Sequence, residues 1–457
     1  MQQVESNPDD DDRLFETTLN DLTLFKKFIS EGVDGPRLDP KSSPGYPFLQ
    51  MNLGSTNGQI FGYEPGMGYT NDKNIDTLRE LCLLKAERLI SEPELEDINV
   101  FIKQEPHSPA KIQQGRLRLI SGVSVVDQVV AKLVTRNLVG VFTKNHFINN
   151  IAVGWSPFAD NGLNEFSDAL PKAQTLTCAD KSSWDWTVQP CFGVLVEDLM
   201  SWLFDHRSSM IKSILLNHIK ALFGLKNFNC LGTIFKLGPG IQTSGSEYTI
   251  LFNSFMQQLL HIVVKGRLKE VGNDGLVTTT PLAMGDDTTQ VPESDDYWAE
   301  ISKLGVKIKE RKNFDRKTVE FCGFEISKAA LHPSYPPKHA CVLRNTTKDI
   351  LPDLLDSYQR IYVCDSVRRN AIHRWMRELG CAHKILQPQE ILAKMLGLPP
   401  PSQIRKVRLS EDQTRLINRR IAARIPIGLR RINPERYAYC LAQRYYHFRG
   451  AAKRLNK

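Results

Sequence analysis

The sequence predicts an α+β fold, in which strand pairs are combined with separate helices. Two apolar, strand-like segments within residues 98–120 enclose a polar, basic loop, so the chain is expected to fold back on itself there. The segment TTTPLAMGDDTTQV, residues 278–291, places apolar and Thr residues on both sides of a polar turn, which is typical of a β-hairpin. Apolar residues at helical spacing elsewhere supply the α component.

The remaining elements follow in order along the chain. We expect helices at 76–91, 123–142, 194–203, 211–222 and 248–264. The first of these helices has a mostly apolar face formed by Leu78, Leu81, Leu84 and Leu89. Further strands are expected at 173–180 and 231–236. After the hairpin we expect a helix and a basic turn within 298–314, a strand at 318–327, and helices beyond Leu331.

Composition places the chain among ordinary globular proteins. With 457 residues, 41% hydrophobic and 24% charged, it is long enough for about three folding units. Nine cysteines occur without a CxxC pair, which argues against a disulfide framework and indicates a reducing compartment. We find no run of ~18 apolar residues, and the acidic start does not resemble a signal peptide.

The positive charge is concentrated at the C-terminus. Residues 405–457 contain fifteen Lys or Arg and three acidic residues, an excess of twelve, whereas the whole chain carries +8. Such a field favours a polyanionic partner, either nucleic acid or an anionic membrane surface. A solvated helix face is the alternative.

Two acidic turns are candidates for a divalent-cation site. Asp180 ends the strand expected at 173–180, and Asp286 with Asp287 lies at the tip of the expected hairpin. If the two strands are neighbours in one sheet, their ends converge. Carboxylate oxygens are the ligands that Mg²⁺ prefers, although an acidic hairpin turn alone is commonplace.

Three segments in this order carry a specific resemblance. CADKSSWDWT (178–187), SGSEYTILFN (244–253) and AMGDDT (283–288) resemble motifs A, B and C of the right-hand-shaped viral RNA-dependent RNA polymerases. Together with SSPGYP (42–47) and the basic segment 100–128, they are most similar to the polymerases of sobemoviruses and polerovirus-like relatives, and more distantly to those of picornaviruses. The similarity covers roughly 41–327.

The resemblance implies two-metal nucleotidyl transfer from ribonucleoside triphosphates to a 3′-hydroxyl, with release of pyrophosphate. Asp180 and Asp286 would hold two Mg²⁺ or Mn²⁺ ions, and Asp287 would assist. Asp185 would read the ribose hydroxyls together with Ser244, Thr249 and Asn253. Thr249 and Asn253 are four residues apart, on one face of the expected helix. Gly245 would permit a close backbone approach to template or nucleotide.

The family also uses basic residues around the nucleotide. Lys103, Lys111, Arg116 and Arg118 would correspond to the motif F cations at the nucleotide entry channel, with Arg118 the best match. Among Lys307, Lys309 and Lys312, the last fits best as the motif D general acid for pyrophosphate. SSPGYP would be motif G at the template entrance, where Tyr46 and Phe48 could stack on bases. Trp184 and Trp186 are expected to pack in the core.

The resemblance also implies a domain plan: N-terminal region and fingers (1–172), palm with motif A (173–190), a fingers insertion (191–237), palm with motifs B to E (238–330), and a helical thumb with a basic tail (331–457). The palm would be an antiparallel sheet backed by helices. Expected partners are an RNA template and product duplex, ribonucleoside triphosphates and a genome-linked protein primer. Membrane association would require other replication proteins or the basic tail, and the expected location is viral replication complexes in the host cytoplasm.

Two alternatives remain at this point. A reverse transcriptase shares the palm, but a bulky steric gate would be expected where Asp185 lies. A non-catalytic RNA-binding protein with a decayed palm would not need the predicted metal carboxylates, all of which are present.

Overall fold

The computed structural model describes residues 8–32, 35–103, 105–107, 109–135, 138–272, 276–327 and 330–399. The basic tail predicted at 405–457 lies outside the described residues. The chain divides into two compact units. Unit 1 comprises Met1–Asn145, Lys181–Asp286 and Ser294–Lys309, and unit 2 comprises His146–Asp180, Asp287–Glu293 and Glu310–Lys457.

Helices account for about half of the described residues. The α-helices are α1 (Pro8–Asn20), α2 (Leu22–Ser30), α3 (Asn57–Phe61), α4 (Asp72–Ser91), α5 (Pro109–Gln113), α6 (Val125–Val134), α7 (Leu138–Lys144), α8 (Gly162–Ala169), α9 (Trp184–Thr187), α10 (Pro190–Leu203), α11 (Ser209–Phe223), α12 (Thr249–Arg267), α13 (Asp295–Lys303), α14 (Pro336–Asn345), α15 (Leu351–Ile361), α16 (Ser366–Glu378) and α17 (Pro388–Met395). Short 3₁₀ helices are Phe48–Met51, Ile148–Asn150 and Ala382–Lys384.

The strands are short, as is usual for antiparallel sheets. They are β1 (Tyr63–Glu64), β2 (Gly68–Tyr69), β3 (Ile98–Ile102), β4 (Leu119–Gly122), β5 (Thr175–Lys181), β6 (Lys226–Cys230), β7 (Thr233–Leu237), β8 (Leu282–Met284), β9 (Asp287–Gln290), β10 (Ile308–Asp315), β11 (Thr318–Phe321), β12 (Phe324–Ser327) and β13 (Ala330–Pro333). The combination of separate helices and antiparallel strand pairs confirms the predicted α+β class.

A four-stranded sheet in unit 1 has the order β4-β3-β6-β7. Strand β3 pairs antiparallel with β4, so the predicted return of the chain within 98–120 is confirmed. Strand β3 also pairs parallel with β6, which forms an antiparallel hairpin with β7. The loop between β3 and β4 contains the short helix α5, which was not predicted.

Helix α4 of unit 1 buries part of the predicted apolar face, including Leu78 and Leu89. The side chain of Asn71 caps the helix by accepting a hydrogen bond from the Asn74 N–H at 3.3 Å. Its buried positions are Ile75, Leu78, Cys82, Lys85, Ala86 and Leu89, which recur every three to four residues. Leu84 lies off this stripe and is 48% exposed, so its assignment to the apolar face was wrong.

The single helix predicted at 123–142 was also wrong. Two helices, α6 and α7, occupy this region. Helix α6 ends at Thr135, whose hydroxyl donates to the Ala131 carbonyl at 2.7 Å. A β-branched residue that bonds the preceding turn favours a helix end.

In unit 2, strand β5 lies next to β9 and β10. A second sheet has the order β11-β12-β13, with both neighbouring pairs antiparallel. Two predictions in this region were wrong: the expected basic turn forms most of strand β10, and the single strand expected at 318–327 is the hairpin β11–β12. The turn between β11 and β12 lies at Cys322 and Gly323, both with positive φ. Helices α14 to α17 confirm the helical C-terminal region as far as Met395.

Among the described residues, no helix combines the length and the apolar character needed to cross a membrane.

Candidate active site

Strand β5 places Asp180 in unit 2. Thr177, Cys178 and Ala179 pair antiparallel with Gln290, Thr289 and Thr288 of β9. The Thr177 hydroxyl also donates to Asn313 Oδ1 at 2.7 Å, which ties β5 to β10. Because antiparallel pairing places the end of β5 beside the start of β9, Asp180 and Asp287 lie at the same edge of this sheet.

Asp180 and Asp287 line one cleft in unit 2, with a volume of about 170 Å³. The carboxylates of Glu310 and Glu320 and the ammonium of Lys312 belong to the same cleft. Its remaining walls are formed by Cys178, Ala179, Thr288, Phe321, Cys322, Gly323 and Tyr335. The charged part of the lining is therefore mostly acidic, with one cation among four carboxylates.

Lys312 is held by two of these carboxylates. Its Nζ lies 3.2 Å from Glu310 Oε2 and 3.3 Å from Glu320 Oε2. Residues 310 and 312 are two apart on one strand, so their side chains lie on the same face. The hydrogen bonds to Glu310 and Glu320 raise the pKa of Lys312, which therefore keeps its proton at neutral pH.

Cys178 is the one soft donor near Asp180 on β5. Burial raises the pKa of its thiol to about 11, although a hydrogen bond with Thr289 opposes the rise. The thiol is therefore neutral at physiological pH and a poor metal ligand. Apart from the thiols of Cys178 and Cys322 and the ammonium of Lys312, the side-chain donors that line this cleft are hard oxygens.

Asp286 lies in unit 1, in the turn that follows β8. Gly285 has φ of 62°, a conformation that side chains other than glycine rarely adopt. Its N–H donates to Ser254 Oγ of α12 at 2.8 Å, so the turn is anchored by backbone to that helix. The Asp286 side chain is exposed.

Asp185 and Asn253 are in direct contact within unit 1. Asn253 Nδ2 donates to Asp185 Oδ1 at 3.0 Å. The buried indole of Trp184 donates through Nε1 to Asn253 Oδ1, also at 3.0 Å. Because the indole is a donor only, it fixes the amide orientation and directs the Asn253 NH₂ at Asp185. The Trp184 contact was not predicted; the need of a buried indole N–H for an acceptor was the available signal.

The backbone around Asp185 lies beyond strand β5 and is helical. Ser183 has φ of 52°, after which Trp184–Thr187 form the short helix α9. Trp184 is 2% exposed, as expected for core packing. Trp186 is 43% exposed, so its assignment to the core was wrong. It makes an edge contact with Phe228 instead.

Burial raises the pKa of Asp185, and the charge of Asp286 raises it further. The hydrogen bond from Asn253 and the charge of Arg118 act in the opposite direction. Asn253, Asp286 and Arg118 therefore all act on the Asp185 carboxyl, and all four residues belong to unit 1. This arrangement is the core of the candidate site.

The structure does not bring Ser244 or Thr249 into contact with Asp185. Ser244 Oγ accepts from the Ser121 N–H of β4 at 3.1 Å. The Thr249 hydroxyl donates to the carbonyls of Thr243 and Ser246 at 2.7 and 2.9 Å. Thr249 and Asn253 do share α12, as their spacing predicts. Recognition of the ribose by Ser244 and Thr249 stays a prediction.

Gly245 packs closely against the backbone of Ser121 in strand β4. A Cβ at this position would lie 2.1 Å from the Ser121 carbonyl oxygen, a distance that backbone atoms do not tolerate. The need for glycine is therefore explained by packing against β4. Contact between Gly245 and a nucleotide or template stays a prediction.

The predicted motif F cations lie on and around the β3–β4 hairpin. The Lys103 N–H donates to the Arg118 carbonyl at 2.8 Å, extending the pairing of the two strands. Glu105 accepts from Arg118 Nη1 at 3.1 Å and lies 3.2 Å from Lys103 Nζ. Arg116 donates to Gln114 Oε1 at 2.7 Å, and Lys111 is exposed on α5. Glu105 thus forms ion pairs with two of the four cations, a role that was not predicted from the sequence.

The predicted stacking of Phe48 on template bases was wrong. Phe48 is fully buried and packs edge-on against Phe61, with ring centroids 5.2 Å apart. An aromatic ring next to a proline turn can pack in the core as readily as it can lie on the surface. Tyr46 is half-buried.

The donor set is compatible with magnesium. Among the described residues, no group of three or more His, Cys, Asp and Glu side chains is arranged to hold a metal ion. Magnesium, however, often takes only one or two protein carboxylates and completes its shell with water and substrate phosphates. Asp180 and Asp287 in unit 2 supply such oxygens, and the neutral thiol of Cys178 does not compete with them. Asp286 supplies such oxygens in unit 1.

A protein-family comparison matches residues 12–352 to the model described as viral RNA-dependent RNA polymerase. The replicase polyprotein P2AB of Cocksfoot mottle virus is 28% identical over 368 residues, covering 74% of this chain and 35% of that protein. Protein P1-P2 of Potato leafroll virus (strain Potato/Scotland/strain 1/1984) is 26% identical, covering 66% and 28%. The chain thus spans about a third or less of these two relatives.

A solved structure described as the Sicinivirus 3Dpol RNA dependent RNA polymerase matches the fold with a TM-score of 0.60. The match covers 87% of this chain and 86% of that chain at 13% identity. At such low identity the likeness concerns the fold alone. The predicted right-hand polymerase fold and the predicted resemblance to sobemovirus and polerovirus replicases are confirmed.

Proposed function

Because the chain belongs to the viral RNA-dependent RNA polymerase family, we propose that it copies an RNA template by adding ribonucleotides to a 3′-hydroxyl and releasing pyrophosphate. One observation carries the proposal: the Asp185–Asn253 hydrogen bond, oriented by Trp184, lies within the electrostatic influence of Asp286 and Arg118. Asp185 and Asn253 supply a fixed carboxylate and a fixed amide, with one acidic and one basic side chain nearby. Such a set suits the recognition of a polar, anionic substrate such as a ribonucleoside triphosphate.

Asp180 and Asp286 are proposed to hold two Mg²⁺ or Mn²⁺ ions, with Asp287 assisting. Bound ions of this kind activate the attacking hydroxyl and stabilise the charge on the leaving pyrophosphate. The chain's own contribution is rigidity: the pairing of β5 with β9 fixes Asp180 and Asp287, and the Gly285–Ser254 hydrogen bond fixes the backbone that carries Asp286.

Asp185 and Asn253 are proposed to read the ribose hydroxyls. Burial of these polar groups makes an unmatched sugar costly, because a deoxyribose leaves a donor or acceptor without its partner. The reverse transcriptase alternative would require the opposite preference. The arrangement at Asp185 therefore favours ribonucleotides.

Lys103, Lys111, Arg116 and Arg118 are proposed to bind the triphosphate. Glu105 forms ion pairs with both Lys103 and Arg118, which keeps their side chains near one place on the hairpin. Phosphate oxygens can replace that carboxylate, since a guanidinium binds both in the same bidentate manner. Exchange of one anion for another avoids leaving the two cations without a partner.

Lys312 is proposed to act as the general acid for pyrophosphate. Its protonated state and its place in the cleft with Asp180 and Asp287 support this role. We expect Lys312→Leu to lower kcat for nucleotide addition about 100-fold. Single-turnover primer extension would measure this.

The matched control for Lys312 is Lys317→Leu, which removes an exposed lysine from the next turn. We expect this control to retain wild-type kcat. Equal kcat in Lys312→Leu and wild type would assign the proton to another group.

The template and product duplex are the proposed macromolecular partners. Fingers (1–172 and 191–237), palm (173–190 and 238–330) and thumb (331–457) remain the proposed domain plan, with the basic tail contacting the RNA backbone or a membrane surface. A genome-linked protein primer and a location in cytoplasmic replication complexes are further proposals, prompted by the viral replicases to which the chain is similar.

The deciding experiment is extension of a primed RNA template by the purified chain with each of the four ribonucleoside triphosphates. We expect template-directed extension that requires Mg²⁺ or Mn²⁺ and stops on chelation with EDTA. A preference for deoxynucleotides would indicate a reverse transcriptase. RNA binding without extension would indicate a non-catalytic RNA-binding protein.

A further inference from the structure

Lys226 is a buried lysine without an acidic partner among the described residues. It opens strand β6 in unit 1 and is only 5% exposed. Its Nζ donates to the carbonyl oxygens of Gly240 and Ile241, at 2.7 Å each. Burial lowers its pKa to about 8, so a charge is kept here at neutral pH despite the cost of desolvation. A buried ammonium contributes little to apolar packing, so we ask what its two hydrogen bonds hold in place.

The two carbonyls belong to a segment that contacts the Asp185 region, which we call the anchor loop (residues 240–243). The Gly240 N–H donates to the Phe223 carbonyl at 2.7 Å, and the Ile241 N–H to the Val188 carbonyl at 3.0 Å. The Gln242 N–H donates to the carbonyl of Asp185 itself at 2.8 Å. The anchor loop therefore fixes the backbone of Asp185 on one side, and Lys226 fixes the anchor loop on the other.

The anchor loop is also strained. Ile241 has φ of 53°, in the left-handed region that a β-branched side chain seldom adopts. Strained backbone persists only where its surroundings hold it. Two short hydrogen bonds from one ammonium, at Ile241 and at the residue before it, supply that restraint.

We propose that Lys226 is a positioning residue that holds the anchor loop against Asp185 and thereby sets the discrimination between ribose and deoxyribose. This inference rests on the proposed function, because Asp185 is the proposed reader of the sugar. Lys226 acts through the path from its Nζ to Ile241, Gln242 and the Asp185 backbone. Without the ammonium, two buried carbonyls lose their donor and the strained loop relaxes.

A purely structural role for Lys226 would have a different signature. It would lower the melting temperature and the amount of active enzyme, and it would scale the rates with ribo- and deoxyribonucleotides equally. A positioning role changes the ratio of the two rates, because only the geometry at Asp185 distinguishes the sugars. The ratio is therefore the informative quantity.

The variants are Lys226→Met, which keeps the length of the side chain but removes its donors, and Lys226→Arg, which restores them. Lys236→Met is the matched control, since Lys236 is exposed on the partner strand β7 opposite Asn227. The measurements are kcat and KM for ATP and for dATP on one primed RNA template. Hydrogen–deuterium exchange over residues 238–246 is measured on the same samples.

We expect Lys226→Met to reduce the ATP preference about tenfold, chiefly through a higher KM for ATP, and to speed exchange in the anchor loop. Lys226→Arg should recover part of the preference, and Lys236→Met should match wild type. An unchanged ATP to dATP ratio in Lys226→Met, or unchanged exchange in the anchor loop, would overturn the proposal.

Two further outcomes are separable. If Lys226→Met does not fold, Lys226→Gln, which retains a shorter donor, takes its place under the same criteria. If the wild-type chain does not extend RNA while Lys226→Met still speeds exchange, the proposed polymerase function fails and the sugar-selection part of this proposal fails with it. The exchange result then supports only the anchoring of the loop.

Discussion

Asp286→Asn is expected to lower the rate of RNA-templated nucleotide addition by about 10³-fold or more. The substitution keeps the size of the side chain but replaces a charged oxygen by an amide, which binds Mg²⁺ far more weakly. Folding should be preserved because the Asp286 side chain is exposed and the turn is anchored through the Gly285 N–H. Rapid-quench primer extension at saturating ATP would measure the rate.

The control for this experiment is Asp296→Asn, an exposed carboxylate in the first turn of α13. We expect it to keep the wild-type rate and the wild-type dependence on Mg²⁺. Asp286→Asn should in addition require a higher Mg²⁺ concentration for half-maximal rate. Wild-type extension by Asp286→Asn would refute the assignment of Asp286 as a metal ligand.

Local patterns predicted the elements that carry the site. Strand β5, helix α12 and the strand–turn–strand around Asp286 each follow from the alternation, spacing and turn chemistry of their own residues. These signals depend only on neighbouring residues, so a single sequence is sufficient to predict the elements. The same holds for placing Thr249 and Asn253 on one helix.

Contacts between distant segments could not be predicted in this way. Trp184 and Asn253 are 69 residues apart, and Ser121 and Ser244 are 123 apart. Lysines are usually exposed, yet Lys226 is 5% exposed and donates to two backbone carbonyls of another segment. The basic run around Lys312 resembled a turn because strand β10 is exposed along most of its length and shows no alternation of buried and exposed residues. Tertiary context overrides local preference at all of these positions.

Asp185→Ala is expected to reduce the preference for ribonucleotides over deoxyribonucleotides about 100-fold. In the wild type, Trp184 orients the Asn253 amide, which then donates to Asp185 Oδ1. Removing the carboxylate leaves the Asn253 NH₂ without its acceptor and removes the group proposed to bind the ribose hydroxyls. We expect kcat/KM to fall for ATP and to change little for dATP, as measured by steady-state incorporation opposite one template base.

Trp184→Phe provides the graded comparison, because it keeps an aromatic ring in the core while removing the indole donor and some side-chain volume. The Asn253 amide can then rotate, so its NH₂ no longer points at Asp185 all of the time. We expect a loss of ribose preference about tenfold smaller than that caused by Asp185→Ala. In the double variant the Trp184 effect should disappear, since the amide has no Asp185 carboxylate to orient towards. Additive effects in the double variant would mean that Trp184 acts on the core and that Asp185 is oriented by other contacts.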